Sequence, residues 1–579
     1  MTDYLEKLAS IQALAEDGNL EQAFEECESI INSWPDNAEA LHLSAYILIL
    51  RGLPDKAIDR LLIAISEVPD NYVYYSTLAV AYQSCGDIPN ACACYRRILN
   101  LQPNDQMALV SLADLTSVRG VKPKVLEDAK RTSTRLVGYY AANSLAYAER
   151  ALEVDPGNEM AIEMDHMLNA HIKYNVIAHM DAVVPDGIGR GKPKVIYPLR
   201  VTSRIGHLIG EPYLLKCLFD PEEYDLIILT PPRDLAVSGP VYDIALAETF
   251  PVAREETGPS VPKWEQALTL WGSDCGIRTV DDRTYVLERI NDLMGRVMRN
   301  VHEGKPLHKF KLNDVQREKG LDLRRKMGIP AEARIVTLYA REKGYFPTLS
   351  HHSHRNADIQ SYIPAIKFLV EEGFYVIRIG DDKMHRLPDL GPQVIDAPFH
   401  PAYTQLVEPY FVSESSFMIK TLSGPDFLSM AFGIPCLLTN FYWCAHSAQI
   451  ENDLCIPKKY YSHRFQRELT LSEIASEKEL LFSGDVKDFT SRHIELIHNS
   501  EQEILSATME MVSRQRGQYE GNPLYDARFQ KLCRRLHEDC AKDIYSDSHL
   551  NLYGDYFGPY LAKMILSHSY CDLNPEFLW

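Results

Sequence analysis

The residues best equipped for chemistry lie in two stretches of the second half of the chain. Lys343, His354, Arg355 and Asn356 fall in one long loop, Glu342-Lys343-Gly-Tyr-Phe-Pro-Thr-Leu-Ser-His351-His352-Ser-His354-Arg355-Asn356-Ala-Asp358. An arginine grips a diphosphate through two parallel N–H donors, and a lysine adds a compact positive charge. The second stretch is Thr421-Leu-Ser423-Gly424-Pro425, between a strand-like run and a helix-like run. Free backbone N–H groups and a helix dipole suit an anion there. Gly424 lets a phosphate approach the backbone, Ser423 can cap the helix or bond a phosphate, and Pro425 suits a first helical turn. An ordinary N-cap is the plainer reading.

Two groups are candidates to deprotonate a hydroxyl: His207, in the turn Arg204-Ile-Gly206-His207, and Asp358. Their plainer roles are a packed histidine and the N-cap of a helix. His351, His352 and His354 lack a carboxylate or cysteine at ligand spacing, so no metal site is expected. Asp381-Asp382 reads as a strand-end turn.

The elements that must position these groups alternate. Lys194–Leu199 and Asp225–Leu229 read as strands around a Gly206/Gly210 turn, with a helix over Glu211–Leu218. Thr279–Val301 has helical spacing, and Val315–Met327 is a charged helix stopped by Gly328. Strand runs follow at 333–341, 375–381, 394–396, 416–421 and 436–440, separated by helical patterns. Such alternation implies a doubly wound parallel sheet, with ligands at its carboxyl edge.

The N-terminal part is periodic. Gly18, Gly52, Gly86 and Gly120 recur every 34 residues, as do Pro35, Pro69 and Pro103. Ala23, Ala57 and Ala91 keep the step, and so do Ala45, Ala79 and Ala113. This is the tetratricopeptide period: paired helices with alanine at close approaches and glycine at the turn. The fourth unit is interrupted after Gly120 by about 19 residues, and a capping helix is expected from Asn158 to about Met180. Stacked units expose a concave surface that docks a protein partner; a spacer or oligomerisation arm is the plainer use.

A length of 579 residues demands several domains, expected at 1–180, 190–330 and 331–579. A net charge of −20 argues against general nucleic-acid or anionic-membrane binding. No signal peptide and no membrane span are visible, and the 12 cysteines form no C-x-x-C pair, which fits a reducing cytoplasm.

The part from about 190 onward resembles a family of bacterial glycosyltransferases of cell-surface polysaccharide and glycoprotein synthesis. The resemblance rests on His354-Arg355-Asn356-Ala-Asp358 with Tyr362, Val376-Ile-Arg378-Ile-Gly380-Asp381, Ser423-Gly424-Pro425, Phe432-Gly433-Ile-Pro435, Asn440 and the Arg204–His207 turn. The order His352, His354, Arg355 is similar to fucosyltransferases that use a GDP-sugar, which implies that Arg355 holds a β-phosphate. Repeats joined to such a transferase look like protein O-glycosyltransferases. The resemblance implies an α-solenoid plus a GT-B-like α/β part: two Rossmann-like domains facing a cleft. It implies a nucleotide-sugar donor of GDP, UDP or CMP type on the second domain, held by Lys343, Arg355, Ser423 and Gly424 without a metal. A protein acceptor, flagellin-like for example, or a surface glycan would enter by Gly206 and His207. A non-catalytic scaffold and a sugar-nucleotide epimerase remain the alternatives.

Overall fold

The computed structural model describes residues 2–116, 144, 147–172, 192–199, 201–253, 275–279, 285–342, 350–442, 450, 453–476, 486–542 and 564–578. Its first part is a stack of helix pairs: Thr2–Glu16 with Leu20–Ser33, Ala38–Leu50 with Pro54–Glu67, and Tyr72–Ser84 with Ile88–Leu101. The repeated glycines carry the left-handed backbone their turns require, with φ of +85°, +72° and +73° at Gly18, Gly52 and Gly86. All six repeated alanines are fully buried where helices touch. Asn37, Asn71 and Asp105 accept hydrogen bonds from Ala40, Val73 and Ala108 N–H groups and start successive first helices.

The fourth unit begins with Gln106–Thr116, and its second helix returns only at 147–154. Gln106 Nε2 then donates to the Ala151 carbonyl at 3.1 Å, and Arg96 Nε to the Tyr147 hydroxyl at 2.9 Å. The inserted stretch and Gly120 lie outside the described residues. Glu159–Ile172 is the described part of the capping helix.

The first sheet comprises β1 (Lys194–Pro198), β2 (Asp225–Thr230), β3 (Phe250–Ala253), β4 (Cys275–Thr279) and β5 (Tyr285–Arg289). Its order is β3-β2-β1-β4-β5; β1, β2 and β3 run parallel, whereas β4 and β5 run antiparallel to their neighbours. Two expectations need correction here. The helix expected over 279–301 is β5 followed by a helix at Ile290–His302, because a short strand leads directly into an amphipathic helix whose period dominates the window. The helix expected to begin at Glu211 begins at Ile205. Gly206 and Gly210 lower its intrinsic propensity, but their bare backbone lets it pack closely, so tertiary contact prevails.

The second sheet comprises β6 (Arg334–Tyr339), β7 (Phe374–Arg378), β8 (Val394–Asp396), β9 (Ser415–Lys420), β10 (Cys436–Phe441) and β11 (Leu454–Pro457). A small antiparallel sheet, β12 (Lys459–Ser462), β13 (Arg467–Glu468) and β14 (Ile494–Ile497), stands beside it. The chain later returns to add β15 (Ile565–Leu566), giving the parallel order β15-β11-β10-β9-β6-β7-β8. From β6 the chain winds outward to β8 on one side and then restarts at β9 on the other. The topological switch point is therefore between β6 and β9. Before β15, the helix Pro523–Lys542 packs on the repeat helix Ile88–Leu101.

The carboxyl-edge loops of the two sheets meet. Gln405, beyond β8, donates through Nε2 to Val237 O, and its Oε1 accepts from Gly239 N–H, beyond β2. Helix Ile205–Leu218 lies on helix Asp426–Phe432, and one buried apolar core runs through both units. This is an α-solenoid joined to a GT-B-like pair of Rossmann-like units facing across a cleft. Along this helix flank the cleft is closed by direct packing.

Candidate functional site

Three cations gather at the carboxyl edge of the second sheet. Arg341 follows β6, Arg355 ends a 3-10 turn at Ser350–Arg355, and Lys458 follows β11. Asn356 ties two of them together. Its Oδ1 accepts from Arg341 Nη1 at 3.0 Å, and its carbonyl accepts from Lys458 Nζ at 2.6 Å. Arg355 stands 5.8 Å from the ring centroid of Tyr442. Its Nε is buried and bonds to nothing among the described residues. Burial, then repulsion from Arg355, lowers the Arg341 pKa. Burial, then the charge of Arg341, pushes the Lys458 amine down to about 7. A group of cations that repel one another is the arrangement an anion would relieve.

The Thr421–Pro425 turn adjoins this group at the switch point. Thr421 Oγ1 accepts from Arg341 N–H at 2.9 Å, and Ser423 Oγ shares a hydrogen bond with the Tyr339 hydroxyl at 3.1 Å. Ser423 therefore faces β6 and does not cap the next helix. That helix, Asp426–Phe432, has only seven residues and Pro425 as its N-cap. Its first residue, Asp426, is an acid buried against Lys420. The expected helix-dipole contribution is accordingly small, because that terminus already carries a carboxylate. Gly424 is bare for another reason: a Cβ there would lie 2.9 Å from Ile205 Cγ2 and 3.0 Å from Gly206 N. Reciprocally, a Cβ on Gly206 would lie 2.8 Å from Gly424 Cα.

The remaining expected residues are distributed as follows. His207 sits in the first turn of its helix beside the Gly206–Gly424 contact, with Nδ1 2.6 Å from Glu211 Oε1. The imidazole is 45% exposed and the carboxylate 12%, so the acid lies beneath the ring and orients it. His354 is buried, edge-to-face with Tyr442 at 4.6 Å and tilted against Phe489 at 5.6 Å, where it packs the wall behind Arg355. Asp358 accepts from Gln360 N–H at 3.0 Å and is the N-cap of the 3-10 turn Ile359–Tyr362. Lys343 lies outside the described residues.

Sequence reading missed Arg341, Lys458, Glu211 and Glu408. Arg341 was visible only as the end of a clean strand. Lys458 follows a four-residue strand too short to register as one. Glu408 is pushed up to about 7 by burial and then by the charge of Asp381, and its charge reaches Tyr339. Among the described residues no group of three His, Cys, Asp or Glu could hold a metal ion, and no helix is long and apolar enough to cross a membrane.

No protein-family model matches the chain, and no curated protein does. Solved structures offer partial likenesses. ADP-heptose lipopolysaccharide heptosyltransferase II of E. coli is 12% identical, with a TM-score of 0.30 over 46% of this chain and 90% of that one. A mutant O-GlcNAc transferase of Thermobaculum terrenum is 10% identical, with a TM-score of 0.20 over 99% of this chain and 98% of that one. YrrB, a tetratricopeptide protein with an unusual peptide-binding site, is 14% identical, with a TM-score of 0.20 over 27% of this chain and 89% of that one. At such scores the functional reading has to rest on the side chains themselves.

Proposed function

We propose that the chain is a glycosyltransferase that moves a sugar from a nucleotide-sugar donor to a protein or surface-glycan acceptor. The observation that carries this reading is the gathering of Arg341, Arg355 and Lys458 beside the β6–β9 switch point, with an Arg355 Nε that bonds nothing among the described residues. In this reading the donor phosphates, of GDP, UDP or CMP type, take up those donors together with Ser423 and the Gly424 backbone. Lys343 in the same loop assists, Asn356 holds Arg341 and Lys458 in place, and His354 packs against Tyr442 and Phe489.

His207 is the base. Nδ1–H donates to Glu211, and in this reading Nε2 takes the acceptor hydroxyl proton. The acceptor oxygen bonds to the anomeric carbon as the bond from that carbon to the phosphate oxygen breaks, and the electron pair leaves on the phosphate. The cations stabilise that charge, the part a metal ion plays elsewhere, so no metal is required. Asp358 is the weaker candidate base, since its carboxylate is engaged in capping.

The three-part division at 1–180, 190–330 and 331–579 assigns the solenoid to acceptor recruitment, a flagellin-like protein being one acceptor that fits. The described cysteines are free thiols, which supports a cytoplasmic setting. Thermal shift with GDP, UDP and CMP tests the reading. One nucleotide at roughly millimolar concentration should raise the Tm of the native chain, and Arg355→Ala should remove the rise. No shift with any nucleotide would favour the non-catalytic scaffold instead.

A further inference from the structure

Lys458 is an unusual member of the cation group. Its side chain is 1% exposed, yet its described hydrogen-bond partner is a neutral carbonyl, that of Asn356 at 2.6 Å. Among the described residues no carboxylate forms an ion pair with it. The neighbouring carboxylates Glu468 and Glu503 are engaged by Lys459, at 3.3 and 3.6 Å. The groups facing Lys458 are Arg341 from the end of β6 and the Asn356 carbonyl from the loop before Asp358. Beside these stands the Phe441 carbonyl, which accepts from the Lys458 N–H at 2.6 Å. A buried ammonium that feels the charge of another cation, with no carboxylate paired to it among the described residues, is costly, so the empty seat disfavours the charged amine.

We propose that Lys458 makes this a proton-linked seat for a phosphate-bearing ligand of charge −2 or more: the buried amine, held only by the Asn356 carbonyl among the described residues, resists its charge until an arriving diphosphate supplies the counter-ion and draws a proton onto it. The proposal deepens the donor-binding reading and rests on it for the identity of the ligand. The balance is simple. Lys458 Nζ gains one proton from solvent, and the ligand supplies the countercharge that burial denies it. An anion neutralises the repulsion from Arg341 and raises the amine pKa, whereas the empty seat holds it near 7. Linkage then requires affinity to fall as pH rises, because above the empty-state pKa each binding event must draw a proton from solvent. CMP, a phosphomonoester dianion, supplies less countercharge than the more highly charged nucleoside diphosphates, so the seat favours the diphosphates over CMP.

The test is titration calorimetry of the full chain with UDP, GDP, CMP and pyrophosphate at pH 8.5, in two buffers of different ionisation enthalpy, repeated at pH 7. At pH 8.5 the expected uptake is about one proton per diphosphate bound, with affinity roughly tenfold tighter at pH 7. Lys458→Arg, charged at every pH used, should bind at pH 8.5 without proton uptake. Lys458→Met should lose at least tenfold in affinity at pH 7 and show no uptake. Circular dichroism on both variants verifies folding. A nucleoside diphosphate that binds without uptake, and equally well at both pH values, would overturn the proposal and leave the donor reading standing. Pyrophosphate binding with uptake while no nucleoside diphosphate binds would support the seat and remove the donor reading. If nothing binds, the proposal is wrong.

Discussion

His207 and Glu211 pair a half-exposed imidazole with a nearly buried carboxylate, one helical turn apart on the same helix. That arrangement fixes the ring without burying it, which a base needs and a packing histidine does not. His207→Ala should lower kcat by about 10²- to 10⁴-fold while the Tm stays within about 1 °C, because an exposed ring contributes little to stability. Glu211→Gln should produce a smaller loss of kcat, since the amide still accepts from Nδ1 but stabilises the imidazolium less. Steady-state kinetics beside thermal denaturation checks both. A large fall in Tm would mean that the pair is structural. At this scale the sequence was partly legible. Arg355 and His207 were recognisable by residue type and by their place after strands. Lys458 was not, because what sets it apart is burial beside Arg341, and the two lie more than a hundred residues apart in the chain.

The elements show why three glycines recur at the meeting of the units. Gly206 and Gly424 touch backbone to backbone, and Gly210 faces the Phe427 ring, where a Cβ would lie 2.8 Å away. The Gly424 turn looked like a phosphate cradle in sequence; its bare Cα serves first to seat the opposite helix. Gly206→Ala should therefore destabilise the chain by about 1–3 kcal/mol and lower nucleotide affinity together with Tm, read by urea unfolding and thermal shift. An unchanged stability would show that the two turns separate freely in solution. Most elements were legible because the repeats keep a strict period and the second sheet alternates with helices. The antiparallel β4–β5 pair escaped because two five-residue strands carry too little pattern beside a strong helical signal.

At the scale of the molecule, the solenoid is more than an arm, because its helix Ile88–Leu101 packs on Pro523–Lys542, which also lies against β15. Strain placed in the repeats should travel along that contact. Ala91→Leu, at a fully buried close approach, should cost about 1–3 kcal/mol and speed amide hydrogen exchange within 523–542, as read by mass spectrometry. Exchange altered only in residues 54–116 would show that the array yields independently of the rest. The late arrival of β15 has a further consequence. It pairs with β11, yet about a hundred residues separate them. On a ribosome adding roughly 5–20 residues per second, the outer edge of β11 stands open for about 5–20 s. During that interval an apolar strand such as Leu454-Cys-Ile-Pro457 is a template for pairing with another nascent chain. Polysomes crowded with this message are therefore where misassembly is most to be expected, and slower translation would lengthen the exposure.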